Sequence, residues 1–147
     1  MRTLLLLSLL SASLAAADSA SVYKTETELL RALAAGQATP DMLTSAVSNN
    51  DHHRINIVRR TKAAGATAHP GFAELHHIME GSGTLVTGGT IVRPAGGRGA
   101  GPATIEGGES RHVAKGDVIL VPSGVPHWYK ELDGGSITYL EVRWEEK

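Results

Sequence analysis

From His53 onward the chain is cut into short runs of β-branched and other apolar residues, each closed by Gly, Pro, Asn or Asp, and no helical period survives that punctuation. Runs of about four to eight residues at this spacing point to a sandwich or a barrel, not a helical bundle. The spacing predicts strands over His53–Arg60, Ala66–Pro70, Ala73–Glu80, Thr84–Thr87, Thr90–Arg93, Ala103–Glu106, Asp117–Val121, His127–Lys130 and Ser136–Arg143. Gly81-Ser82-Gly83 reads as a hairpin turn, because β-forming residues and not a helix follow it, which also removes it as a phosphate-cradling loop. Pro94 to Pro102 is too rich in Gly and Arg to bury much apolar surface and reads as a mobile surface loop.

Helical signals are confined to the segment ahead of the strands. Thr25 with Glu28 three residues on forms a capping box before Leu29, Leu30 and Leu33, and the spacing predicts a helix over Glu26–Ala35, ended by Gly36. A second helical turn is expected after Pro40 and Asp41, with Met42, Leu43 and Val47 on one side. Further upstream, Arg2 precedes an apolar run from Leu4 to Leu10, and Ala15-Ala16-Ala17 supplies a small-residue cleavage pattern. That run is far short of the roughly 20 residues that cross a bilayer, so residues 1–17 read as a signal peptide, and a secreted or periplasmic location is expected. The expected division is residues 1–17 signal peptide, residues 18–50 N-terminal helical segment, and residues 51–147 a single barrel domain.

An exported chain can use disulfides, yet this one has no cysteine, so its stability must come from the core, a bound metal or an oligomer interface. The formal net charge is −1, and loss of Arg2 with the signal peptide makes it one unit more negative. That balance excludes nucleic acid as a partner, and the same absence of basic excess argues against membrane binding once the signal is cleaved.

Two segments carry the chemistry. The second in chain order is Gly116, five residues, Pro122, one residue, Gly124, two residues, His127, with Val118–Val121 as a buried strand between. The first is His69-Pro70-Gly71-Phe72-Ala73-Glu74, with six residues leading on to Gly81. Together they resemble the paired motifs of the cupin superfamily, and the His-Pro-Gly start is similar to that of germin-like cupins. The resemblance covers Ile55 to Trp144, and Gly83–Gly89 (Gly-Thr-Leu-Val-Thr-Gly-Gly) is similar to a hairpin of small cupins. Two positions depart from the pattern: Thr67 stands where the first metal-binding histidine is expected, and Glu131 where the motif often closes on Asn.

The resemblance implies an all-β fold, a cupin barrel (double-stranded β-helix or jelly roll) with a short N-terminal helix. It also implies a homodimer paired through outer strands, and a divalent transition metal (Fe, Mn, Zn or Ni) held by His69, Glu74 and His127. Two imidazoles and one carboxylate leave coordination positions open for water, dioxygen or a chelating substrate. The small-molecule partner is then the substrate of a dioxygenase or oxidase, with isomerisation next. The alternative is a metal-free barrel that binds a sugar or an aromatic compound.

Strand periodicity stands beside this. Thr67 and His69 share one face, as do Glu74, His76 and Ile78. An ionised Glu74 inside a barrel costs several kcal/mol unless a cation or a histidine offsets it. His76 either replaces the ligand missing at Thr67 or acts as a general acid or base. Thr67 and Trp128 are candidate ligand-binding residues, Trp128 as a stacking wall. His77 falls on the opposite face, His52 and His53 at a strand entrance, and Arg111 and His112 on an edge strand, where charge discourages aggregation.

Overall fold

The computed structural model describes residues 21–96 and 100–146. The signal-peptide expectation and the centre of the Pro94–Pro102 loop lie outside the described residues. Among the described residues one helix, α1 (Glu26–Ala34), precedes nine strands: β1 (Gln37–Ala38), β2 (Met42–Asn49), β3 (His53–Arg60), β4 (Phe72–Thr87), β5 (Thr90–Val92), β6 (Thr104–Glu106), β7 (Glu109–Ala114), β8 (Val118–Val121) and β9 (His127–Glu145). The capping box is present in both directions, Thr25 Oγ1 accepting from the Glu28 amide and the Glu28 side chain accepting from the Thr25 amide.

All strand pairs are antiparallel. Six strands run in the order β1-β2-β3-β9-β4-β7, β8 pairs with β4 as a seventh, and β5 and β6 form a separate two-stranded ribbon. The backbone of the barrel is the β4–β9 ribbon, paired from Phe72↔Glu145 to Thr87↔His127. A straight ribbon would hold Glu74 and residue 127 roughly 40 Å apart at the usual strand rise. Three register shifts, at Ile78/Glu80, Gly81/Ser82 and Thr84/Leu85, bend it double and bring those two side chains into contact.

These bulges correct three readings. Ala73–Glu80 and Thr84–Thr87 are one strand, as are His127–Lys130 and Ser136–Arg143, and Gly81-Ser82-Gly83 is not a hairpin turn. Its glycines serve close backbone approach: a Cβ on Gly81 would strike the Ser136 carbonyl oxygen, and one on Gly83 that of Glu131. The expected helical turn after Asp41 is instead strand β2, because pairing with β3 from Met42↔Arg60 to Asn49↔Arg54 outweighs a weak local helical signal. The helical part of residues 18–50 is therefore α1 alone among the described residues. Ala66–Pro70 contributes only an isolated bridge, Thr67↔His127.

Two apolar clusters divide the work. One fills part of the barrel interior with Val58, Ile78, Leu85, Val113, Ile137, Tyr129 and Tyr139. The other lies where Leu33 of α1 packs against Ile57 and Met79, with Leu43, Val47 and Leu140 beside them. The second cluster takes the alternate face of β3, β4 and β9, so the inward face of those strands is free to carry polar groups.

Candidate metal centre

The loop before β4 and the turn before β9 are tied together, and that tie positions both histidines. The Gly71 amide donates to Ser123 Oγ at 2.8 Å, and the Phe72 and Gly124 amides both donate to the His69 carbonyl. Gly71 and Gly124 adopt φ of 84° and 73°, the left-handed region in which glycine is favoured, and this accounts for the glycines of the His-Pro-Gly and Pro-x-Gly segments. His127 is fixed on its other side by two backbone bonds with Thr67, 3.1 and 2.9 Å.

Glu74, His76 and His127 are all buried, and His69 is half-buried. The donor atoms of His69, Glu74 and His127 lie within 4.8 Å of one another. His69 Nε2 is 3.2 Å from Glu74 Oε1, and His127 Nε2 is 3.5 Å from Glu74 Oε2. Glu74 Oε1 has no hydrogen-bond partner among the described residues. The Arg143 guanidinium approaches it to 2.8 Å, an ion contact without hydrogen-bonding direction.

Protonation follows from the partners. His127 Nδ1 faces the Val125 carbonyl oxygen at 3.2 Å, which only accepts, so the ring hydrogen sits on Nδ1 and Nε2 presents a lone pair. Burial pushes the His127 pKa below its ordinary 6.5, and the same cause lowers that of His69, so both rings are neutral at neutral pH. Burial alone would raise the Glu74 pKa. The hydrogen bond from His76 outweighs it together with the positive charges of His127, Arg143 and His69, the two rings being protonated in the acid range where the carboxyl titrates, and the carboxyl comes down to about 2. Neutral imidazoles and an ionised carboxylate are the states in which these groups bind a metal. The residues therefore fit a divalent ion.

His76 Nε2 lies 3.2 Å from Glu74 Oε2, a carboxylate oxygen that accepts, and His76 Nδ1 lies 3.0 Å from the Tyr129 hydroxyl. His76 lines a cavity of about 390 Å³ together with Thr67, His69, Glu74 and His127. Trp128 does not line that cavity: it follows His127 on a strand and so takes the opposite face, where its indole N–H donates to the Ala64 carbonyl. The expected stacking wall is thus absent. His77 is exposed, His53 contacts Ser48 Oγ at 3.1 Å, and His112 meets Asp133 at the surface. Glu131, at the closing motif position, is exposed and accepts from Thr84 Oγ1.

The cavity residues that escaped the sequence reading include Arg60, Tyr139, Glu141 and Arg143. Tyr139, Glu141 and Arg143 alternate with Leu140 and Val142, so the polar period-2 face of Ser136–Arg143 was the available signal.

No family model matches the sequence, and no curated protein matches it. Solved structures do. A cupin superfamily protein from Desulfitobacterium hafniense DCB-2 superposes with TM-score 0.52 at 16% identity, over 86% of this chain and 97% of that one. A predicted oxalate decarboxylase from Thermotoga maritima gives 0.52 at 15%, over 71% and 81%. Fe(II) HppE gives 0.56 at 14%, over 74% of this chain and 54% of its own. At such identities the match establishes the fold alone: an all-β jelly-roll barrel of the cupin type, with one short helix among the described residues.

Proposed function

We propose that the chain is an exported, metal-dependent cupin acting on a small polar molecule inside the barrel, as an oxidoreductase of the dioxygenase or oxidase type. The observation that carries the metal is the pair of electron-rich atoms, His127 Nε2 and Glu74 Oε2, that face each other 3.5 Å apart with no hydrogen between them. A cation between them removes that conflict. His69, Glu74 and His127 would hold it, and a divalent Fe, Mn, Zn or Ni ion there supplies Lewis acidity, with electron transfer to dioxygen for the redox-active members.

The chain's own residues do the remaining work. His76, held between Glu74 and the Tyr129 hydroxyl, fixes one carboxylate oxygen, and its imidazole is the general acid or base of this reading. The cavity volume suits a small molecule. The neighbouring structures described as Fe(II) HppE and a predicted oxalate decarboxylase support a metal-dependent reaction on a small molecule, and one described as a putative mannose-6-phosphate isomerase keeps isomerisation as the next reaction type. Export rests on the pattern of residues 1–17, and N-terminal sequencing of the secreted product tests it.

A second reading, a metal-free barrel that binds a sugar or an aromatic compound, is favoured by one observation: Arg143 already compensates the Glu74 charge. Thermal melting with and without a chelator separates the two. The metal reading expects the chelator to lower Tm and one of the four metals to restore it; an unchanged Tm, with no shift on adding any metal, supports the metal-free barrel.

A further inference from the structure

The barrel interior holds two arginines, and they are not equivalent. Arg143 is committed: its Nη2 contacts Glu74 Oε1 at 2.8 Å and donates to Glu141 Oε1 at 3.1 Å. Arg60, on β3, has no carboxylate within 4.0 Å among the described residues, although Asp41 lines the same cavity. Its Nε donates to the Tyr139 hydroxyl at 3.0 Å, its guanidinium carbon lies 5.5 Å above the Tyr129 ring, and its Nη1 is buried with no hydrogen-bond partner. Guanidinium groups are always charged, and a buried one without a counter-charge is costly.

A second donor stands beside it. The Tyr139 hydroxyl accepts from Arg60 and makes no other hydrogen bond among the described residues, so its own hydrogen is free to donate. Tyr139 is 1% exposed, yet it borders the cavity, and burial raises its pKa to about 12, which keeps that hydrogen in place. Two donors and one uncommitted positive charge therefore meet in the cavity that His69, Glu74 and His127 also line.

We propose that Arg60 and the Tyr139 hydroxyl form an anion subsite, and that the small molecule taken into the barrel is an organic carboxylate. A carboxylate brings the single negative charge that matches the one free guanidinium, and its planar oxygens fit the guanidinium edge. A phosphate brings more charge than one arginine answers, and the second arginine is already engaged. The proposal deepens the functional reading above and rests on it only for locating the reacting end of the molecule near Glu74.

Calorimetric titration of the purified full-length mature protein tests it, in metal-loaded and chelator-treated forms. The probes are acetate, malonate, succinate and benzoate, each beside its amide, with inorganic phosphate as the competing anion. At least one carboxylate binds, its amide binds at least tenfold more weakly, and Arg60→Gln lowers the affinity at least tenfold while metal content is unchanged. Tyr139→Phe lowers it severalfold. Arg60→Lys, which keeps the charge but not the fork, recovers part of the loss and serves as the reporter if the Gln variant does not fold. Binding that persists in the chelated protein keeps the anion subsite standing even if the metal reading fails. No carboxylate binding, equal binding of the amides, tighter binding of phosphate, or affinity unchanged in both Arg60 variants overturns the proposal.

Discussion

Arg143 of β9 sits directly across the strand pair from Glu74 of β4, and its guanidinium lies 2.8 Å from Glu74 Oε1, the oxygen that His69 also approaches, while His127 faces Oε2. A side-chain cation and a bound metal ion would therefore compete for one buried carboxylate. The balance between them decides which of the two functional readings the molecule realises.

Removing the competitor strengthens metal binding. In Arg143→Gln the repulsion between guanidinium and ion disappears, and even at an effective dielectric constant of about 20 this exceeds 1.4 kcal/mol, so metal affinity rises at least tenfold. Competition against a fluorescent chelator measures it. An affinity that falls would show Arg143 to be needed for holding Glu74 in place.

Acid destabilises the fold in two stages. The folded-state pKa values of His69 and His127 lie below 6.5, so the unfolded chain binds protons more readily, and stability present above pH 6.5 is lost as pH falls through that value. Glu74 adds a second stage: its folded pKa of about 2 lies below the ordinary 4.5, so its contribution is present above 4.5 and is lost between there and about 2. Urea unfolding across this range gives the profile. Glu74→Gln removes the lower stage, and a profile unchanged by that substitution contradicts the assignment.

Thr67 is paired through its backbone with His127 and borders the cavity, so Thr67→His adds an imidazole at the rim of the His69–Glu74–His127 set. Metal affinity is expected to rise at least tenfold, and the melting temperature in saturating metal to rise with it. Equilibrium dialysis measures the first. Unchanged affinity would place residue 67 outside the coordination sphere.

The sequence made the site legible where chemistry and punctuation coincide. His69, Glu74 and His127 stand beside glycines and prolines whose backbone demands are visible in one dimension, and Thr25 and Glu28 announce α1 by their own hydrogen bonds. β3 was readable from His53 to Arg60 because Ile55, Ile57 and Val58 fall within a run that no Gly or Pro breaks. The long strands were not, since Gly81, Gly83, Gly134 and Gly135 look like turns until β9 is known to pass beside β4. β7 was recognised only as an edge around Arg111 and His112, because Glu109–Ala114 carries mostly polar residues.

Arg60 and Arg143 were hidden for a different reason. An arginine on a strand is ordinarily solvent-facing, and nothing local distinguishes Arg59, which pairs with Glu80 on the outer side, from Arg60, which turns inward to Tyr139. Only the barrel's closure makes the difference. Trp128 erred in the opposite direction, since adjacency to His127 in sequence means the opposite face of a strand.

Metal content is the most direct measure of the central claim. The mature protein, purified without a histidine tag and dialysed, is assayed by inductively coupled plasma mass spectrometry beside His127→Ala, which removes the lone pair facing Glu74. The account predicts about one transition-metal ion per chain, lost in the variant. Protein that carries no metal, even after reloading with Fe, Mn, Zn and Ni, or a variant that keeps its ion, would contradict it.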